Sequence, residues 1–183
     1  MPMNWWMSDE AVQAVLDSEG PWPSPSPAFT GTCTPFDVDR YDGLAVVVGH
    51  GRNRKGREIL GSDEFQRGRN GRWEHLGGGG SSWSTRLRWD MPVGRDALHV
   101  RMGGSSGTSI FDDRRPFSFV VLLCGPAVMS VEVARQQGIR VADVSAGPGW
   151  LTALWTPDDP VTVTAFSATG EQTSRWIPPT EGS

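Results

Sequence analysis

The sequence predicts an all-β fold, an antiparallel β-sandwich or partly open barrel of about ten short strands with one N-terminal helix. Short apolar or alternating segments recur from Tyr41 onward at spacings of roughly 8 to 15 residues, and glycine, proline, aspartate or serine stands at most of the breaks. No helical pattern lies between these segments, so the crossover helices that a parallel sheet requires are missing. We therefore expect antiparallel pairing.

Residues 8 to 18, SDEAVQAVLDS, are predicted to form the helix. Ser8 suits the N-cap, and two acidic residues follow in the first turn, where the helix dipole favours anions. One apolar face is formed by Ala11, Val12, Val15 and Leu16. We expect this face to dock on the body of the protein. The alternative is that the helix, with the WWM sequence of residues 5 to 7 before it, is an arm that binds a partner.

Residues 20 to 35, GPWPSPSPAFTGTCTP, are predicted to be an extended connector, because proline removes backbone donors and restricts the chain. The predicted division is an N-terminal helix and connector over 1–35 and a β-domain over 36–183. From about Cys124 to Trp176, the rhythm of strands and turns is similar to immunoglobulin-like or carboxypeptidase-regulatory-like sandwich units. This resemblance implies a sandwich and no particular activity.

The β-domain is expected to begin with a buried strand at 44–49 and to include a hairpin between EFQR and RWEHL. Asn70-Gly71 is the dipeptide that best supplies the two positive φ angles of a type I′ turn, so such a turn is expected there. Further strands are predicted at 57–60, 85–91, 97–102, 117–124, 130–135, 139–145, 150–155, 161–167 and 173–177.

Composition indicates a cytoplasmic protein without a cofactor. The net charge is −4 and the pI is about 5.3, which argues against binding to nucleic acid through bulk charge. The two cysteines are too few for a disulfide scaffold, and Cys124 ends an apolar run that predicts a core position. The first residues, MPMNWWMSDE, lack the pattern of a secretory leader, so none is expected, and no apolar run approaches the length needed to span a bilayer.

Four residues are weak catalytic candidates: Glu74, His75, His99 and Ser105. Alternation along the strand places His75 on the face of Trp73 and Glu74 on the opposite face. His99 is expected on the polar face of its strand, with Leu98, Val100 and Met102 on the other. GGSSG fits the nucleophile motif G-x-S-x-G at Ser105, but no helix follows to lift the serine. No metal site is expected, because the histidines lack the spacing that holds two ligands together.

The middle of the chain is basic. Residues 50 to 115 contain thirteen arginines or lysines and eight acidic residues. Arginine suits carboxylate or phosphate recognition, and tryptophan adds contact area. The predicted binding residues are Arg52, Arg54, Arg57, Arg67, Arg69, Arg72, Trp73 and Trp83. The Gly/Ser segments near 77–82 and 102–109 are expected to form loops at the rim of the site, mobile unless a ligand holds them.

The sequence therefore favours a non-catalytic binding protein of the immunity, inhibitor or accessory-subunit type that recognises a protein partner. One alternative is a small-molecule enzyme or ligand-binding β-barrel with a pocket under the Gly/Ser loops, using Glu74, His75 or His99 as acid and base. Another is a single-stranded nucleic-acid binder, whose affinity would fall steeply with salt. The sequence does not determine the oligomeric state.

Overall fold

The computed structural model confirms the all-β class and the antiparallel pairing of the strands. The structure describes residues 9–18, 34–52, 58–82, 94–107, 114–145 and 149–179. Within these residues the chain forms one helix and eleven strands. Contacts group it into two compact units, Met1–Met91 and Pro92–Ser183. The division into 1–35 and 36–183 stays a prediction.

The first unit is a four-stranded antiparallel meander with a helix on one face. Its elements are α1 (Asp9–Asp17), β1 (Thr34–Tyr41), β2 (Leu44–Arg52), β3 (Glu58–Arg67) and β4 (Trp73–Ser82). The strands lie in chain order, so β1 and β4 are the terminal strands of the part of this sheet that the structure describes. The strand predicted at 85–91 lies outside the described residues. The sequence did not predict β1, although alternating residues and an Asp-Gly turn mark it.

The apolar face of α1 is buried against this sheet, which confirms the docked helix. The shared core consists of Val12, Val15, Leu16, Val38, Ala45, Val47 and Phe65. Arg40 of β1 donates to the carbonyl of Val15 and to the hydroxyl of Ser18, so a cation satisfies the C-terminal end of the helix, where the dipole favours it. Residues 5 to 7, which the alternative hypothesis assigned to an arm, lie outside the described residues.

Two of the three hairpin turns of this sheet lie in described residues, and the type I′ turn occurs at the first and not at the predicted one. Asp42 and Gly43 have φ angles of 48° and 75° and join the paired residues Tyr41 and Leu44, as in a type I′ turn. At the hairpin between β3 and β4, the Gly71 amide donates to the Gly68 carbonyl, and Gly71 is the loop residue with a positive φ. The predicted type I′ turn at Asn70-Gly71 is therefore wrong. The side chain of Asn70 instead accepts a hydrogen bond from the Arg72 amide at 2.9 Å, which stabilises a longer loop.

The second unit is a β-sandwich. Its strands are β5 (Leu98–Ser106), β6 (Phe117–Cys124), β7 (Ser130–Arg135), β8 (Gly138–Asp143), β9 (Trp150–Trp155), β10 (Thr162–Phe166) and β11 (Gln172–Trp176). One sheet has the order β5-β6-β9 and the other β11-β10-β7-β8. This distribution resembles the immunoglobulin-like sandwich, except that the fourth strand pairs with the third rather than with the fifth.

The core of the sandwich takes side chains from both sheets. It includes Val120, Leu122, Cys124, Val131, Val133, Leu151, Ala153, Val161, Val163 and Ala165. The predicted core position of Cys124 is thus confirmed. Trp155 and Trp176 pack edge-to-face on this core with centroids 5.6 Å apart.

A β-bulge changes the predicted faces of β5. The register shifts between Val100 and Met102, so Val100 lies opposite Leu122 while Met102 lies opposite Val121, on the other face. Val100 is 54% exposed. The expectation that Leu98, Val100 and Met102 share a core face is therefore wrong, because the bulged Arg101 breaks the alternation.

Candidate functional site

The two Gly/Ser segments are strands and not loops. Residues 77–80 lie in β4 and pair with residues 61–64 of β3, and residues 103–106 lie in β5 and pair with 117–120 of β6. The predicted loops are therefore wrong in these segments. Backbone hydrogen bonds require no side chain, so the glycine segments of β4 and β5 can pair with β3 and β6, which hold them in register. Both β4 and β5 are terminal strands among the described sheets.

Close contacts with Phe119 of the neighbouring strand explain why β5 has glycine at positions 103 and 104. A Cβ atom on Gly104 would lie 2.6 Å from a ring carbon of Phe119, and one on Gly103 would lie 3.2 Å from the Phe119 carbonyl oxygen. Phe119 is buried. An aromatic side chain thus covers the glycine backbone of the neighbouring strand, an arrangement that compensates for the missing side chain.

Of the glycines at 77, 78 and 79 in β4, the described residues explain the one at 78. A Cβ atom on Gly78 would lie 2.5 Å from the Oδ1 atom of Asp63 and 2.6 Å from the Ser62 carbonyl oxygen. At Gly77 and Gly79 a Cβ atom would meet nothing within 4 Å, and neither residue has a positive φ. Glycine within a strand costs about 0.5 to 1 kcal/mol relative to alanine. Packing within the described residues therefore gives no reason for glycine at 77 and 79.

A buried aspartate of β3 contacts a histidine of β4. Asp63 has a side chain that is 2% exposed, and its Oδ1 atom lies 3.0 Å from Nε2 of His75, which is 35% exposed. The ring of His75 also contacts Phe65, with centroids 5.2 Å apart. The imidazole therefore provides a polar partner for a carboxyl group that is almost removed from water. Neither Asp63 nor this pairing was predicted, because the two residues are distant in sequence.

The neighbouring carboxyl group of Glu64 has a raised pKa. Burial is the main cause, since it disfavours the charged form, and the nearby Asp63 acts in the same direction. His75 acts in the opposite direction and lowers the pKa of Glu64. The middle of the β3–β4 pair therefore disfavours additional negative charge.

The weak catalytic candidates are divided between the two units and between strand faces. Glu74 lies opposite Gln66 and His75 opposite Phe65, so the two side chains project from opposite faces of β4, as the alternation predicts. His99 and Ser105 are both on β5, in the second unit.

The surroundings of Ser105 differ from those of a hydrolase nucleophile. It lies within β5 opposite Ser118, and not on a strand-to-helix turn. The Nε2 atom of His99 lies 3.4 Å from the amide of Gly94, so this ring contacts the local turn. Among the residues that the structure describes, no three His, Cys, Asp or Glu side chains are grouped to hold a metal ion.

The hairpin between β3 and β4 presents three exposed arginines: Arg67, Arg69 and Arg72. The guanidinium of Arg67 lies 5.4 Å from the ring centroid of Trp73, and its Nε donates to the Gly71 carbonyl at 3.1 Å. Trp73 is half-buried and packs on the core under α1. We call Arg67, Arg69, Arg72 and Trp73 the arginine hairpin. Its stacking and hydrogen bond hold one cation in a defined position.

The remaining predicted binding residues are not placed. Arg54, Arg57 and Trp83 lie outside the described residues, and for Arg52 only the backbone in β2 is described.

Comparison of the chain with protein-family models, with curated proteins and with solved structures finds no match. No helix among the described residues is long and apolar enough to cross a membrane. The cytoplasmic location stays a prediction. The function is therefore inferred from the site itself.

Proposed function

We propose that this protein is a non-catalytic binding protein that recognises a protein partner through the arginine hairpin. The observation that carries the proposal is the stacking of Arg67 on Trp73, with the guanidinium centre 5.4 Å from the ring centroid. A cation held in place loses less rotamer freedom when it binds, so more of its interaction energy remains as affinity.

The composition of the hairpin supports this proposal. Arginine and tryptophan are the residues most enriched among those that dominate the energy of protein interfaces. The three arginines are exposed, and they stand in a chain whose net charge is −4. An acidic surface on a partner protein complements this local positive charge, whereas domains that bind nucleic acid through bulk charge usually have a basic pI.

The experiment compares the wild-type protein with the variant Arg69→Glu/Arg72→Glu, which leaves the Arg67–Trp73 stack unchanged. The control Arg95→Glu/Arg175→Glu makes the same charge change at exposed positions of the second unit. Each immobilised protein is exposed to nuclease-treated lysate of the source organism, and bound proteins are quantified by mass spectrometry. The affinity for the protein recovered is then measured as a function of salt.

We expect a stoichiometric partner on the wild type and the control, and an affinity about a hundredfold lower for the hairpin variant, because two charge pairs become repulsive. An equal recovery by wild type and hairpin variant contradicts the proposal. Recovery that disappears with nuclease, together with a steep salt dependence of binding to single-stranded nucleic acid, instead supports the nucleic-acid alternative.

A further inference from the structure

We infer that β4 is an acceptor edge to which an extended segment of the partner protein adds as a further strand. Bulky side chains of that segment lie over Gly77 and Gly79, and its acidic residues lie beside the arginine hairpin. The inference rests on the proposed function and names the kind of partner segment. Strand addition of this type uses main-chain hydrogen bonds for affinity and alternate side chains for specificity.

Several other terminal strands carry features that prevent strand addition. β1 contains Pro35 and a register shift between Pro35 and Asp37. In the second unit, Arg135 donates to the Leu154 carbonyl at 2.8 Å and Arg140 to the Thr152 carbonyl at 2.5 Å. These two arginines occupy backbone acceptors of β9. Proline, bulges and charged side chains are the usual means by which proteins block sheet edges.

The terminal strands β5, β8 and β11 are also limited. The Leu98 amide at the start of β5 lies 3.4 Å from the Ser174 hydroxyl of β11 and donates to it. Beyond the bulged Arg101, the ring of Phe119 already fills the space in front of Gly104. β8 and β11 have only six and five residues. Short strands offer few hydrogen bonds to an added strand.

β4 lacks these features along its second half. After the register shift beside Leu76, residues 77–82 pair without interruption with residues 59–64. This segment, GGGGSS, contains no proline and no charged residue. Gly78 and Gly79 are exposed. β4 is therefore the terminal strand among the described sheets that is best suited to accept another strand.

The glycines of β4 determine which side chains fit on the added strand. Where Gly104 occurs in β5, the ring of Phe119 from the neighbouring strand fills the space in front of it. At Gly77 and Gly79 that space is open within the described residues. Glycine in a strand often marks the close approach of a ligand or another backbone. A partner strand with aromatic or branched side chains at alternate positions supplies the missing cover.

A second copy of this chain is a poorer occupant of the edge. Pairing β4 with another β4 would place glycines and serines opposite one another, which buries little apolar surface. The charge distribution also selects the partner segment. The arginine hairpin favours acidic residues at one end of it, whereas buried Asp63 and the raised pKa of Glu64 disfavour them in the middle.

The test uses the full chain and a library of random peptides about twelve residues long, enough to span β4. Peptides selected on the wild type are measured against Gly77→Val/Gly79→Val and against Arg69→Glu/Arg72→Glu. Gly107→Val is the matched control, because a Cβ atom there also meets nothing within 4 Å. Thermal unfolding of each variant is recorded in parallel.

We expect selected peptides to combine alternating aromatic or β-branched residues with acidic residues at one end. Affinity falls at least about tenfold in the glycine variant, because valine occupies the space of the peptide side chains, and falls similarly in the arginine variant. The control stays within about twofold. The unfolding midpoint of the glycine variant does not fall, which separates lost binding from lost folding.

Three results overturn the inference. Peptides that bind the glycine variant as tightly as the wild type, or a library that yields no binder, exclude strand addition. Self-association of the wild type that the glycine variant abolishes identifies a second copy as the occupant. In each case the charge-reversal experiment with native lysate still tests the proposed function. It measures binding by the arginine hairpin and does not depend on the edge of β4.

Discussion

The strands β4 and β5 have similar sequences and different reasons for their glycines. Each is terminal among the described strands, each contains a register shift, and each continues into a run of glycine and serine. In β5, Gly104 makes room for the ring of Phe119, and Gly103 lies close to the Phe119 carbonyl oxygen. In β4, Gly78 is required by its neighbours, whereas a Cβ atom on Gly77 or Gly79 would meet nothing within 4 Å among the described residues. The comparison shows that the side chains of the adjacent strand determine whether a run of glycines is required for packing.

The largest effect on stability is expected when the Phe119 side chain, which covers β5, is removed. Phe119→Ala deletes a buried ring and leaves a cavity beside Gly104, so the free energy of unfolding should fall by about 3 to 4 kcal/mol. Urea denaturation followed by tryptophan fluorescence measures this change. A loss below about 1 kcal/mol would mean that the ring does not support β5.

The complementary change fills the space that the ring already occupies. Gly104→Val would place its Cβ atom 2.6 Å from the Phe119 ring, so we expect a loss of about 1 to 3 kcal/mol from overpacking. Combining it with Phe119→Leu should recover part of that loss, because the two side chains then compete less for the same volume. Strictly additive losses in the double variant would argue against this contact.

An intermediate effect on stability is expected when the contact between His75 of β4 and Asp63 is removed. His75→Ala removes the imidazole 3.0 Å from the buried carboxyl group of Asp63, and we expect the free energy of unfolding to fall by about 1 to 2 kcal/mol. His99→Ala is the control in β5 and should cost less than about 0.5 kcal/mol, since His99 lies 3.4 Å from a local turn amide, at the long limit of a hydrogen bond. Equal losses would show that the Asp63–His75 contact contributes nothing specific.

Filling the open side of β4 should be mildly favourable. Gly77→Val/Gly79→Val adds β-branched residues where a Cβ atom meets nothing within 4 Å, so the free energy of unfolding should rise by about 0.5 to 1 kcal/mol per site, or about 1 to 2 kcal/mol for the pair. Chemical denaturation measures the change against Gly107→Val. A decrease would reveal that the fold itself requires glycine at 77 or 79, and β4 would then resemble β5.

The smallest effect concerns Glu64, which borders the open side of β4. Its pKa is raised above the ordinary value of 4.5 by burial, so the folded state binds the proton more tightly than the unfolded state. Wild-type stability therefore declines as pH rises from about 4.5 through the raised pKa, and Glu64→Gln should remove this decline.

At neutral pH the variant should be more stable by less than about 1 kcal/mol, because Glu64 is only partly buried. Glu171→Gln, at an exposed turn, is the matched control. Parallel stability–pH profiles for wild type and Glu64→Gln would rule out burial as the cause.

The fold class was predictable because its determinants are local. Alternating valines in β7 and β10, the apolar face of α1 and the run in β6 each give their element from sequence spacing. The bulge at Arg101 and the loop at Asn70 were missed, since a single inserted or rotated residue leaves no periodic signal.

The candidate site was only partly predictable. The arginines and Trp73 are visible in the sequence, but their stacking depends on the hairpin turn. GGGGSS suggested a loop because glycine disfavours strands, and pairing with β3 overrides that preference. The contact of Asp63 with His75 depends on the register of β3 and β4, and therefore could not be inferred from either residue alone.

Amide hydrogen exchange along β4, with and without a selected peptide, tests most directly whether this strand is a binding edge. Bound peptide should protect amides of residues 77–82 that exchange rapidly in the free protein, because an added strand supplies new backbone partners. Residues 103–106 of β5 should not change. Protection confined to the hairpin at 67–73, or none in β4, would contradict strand addition.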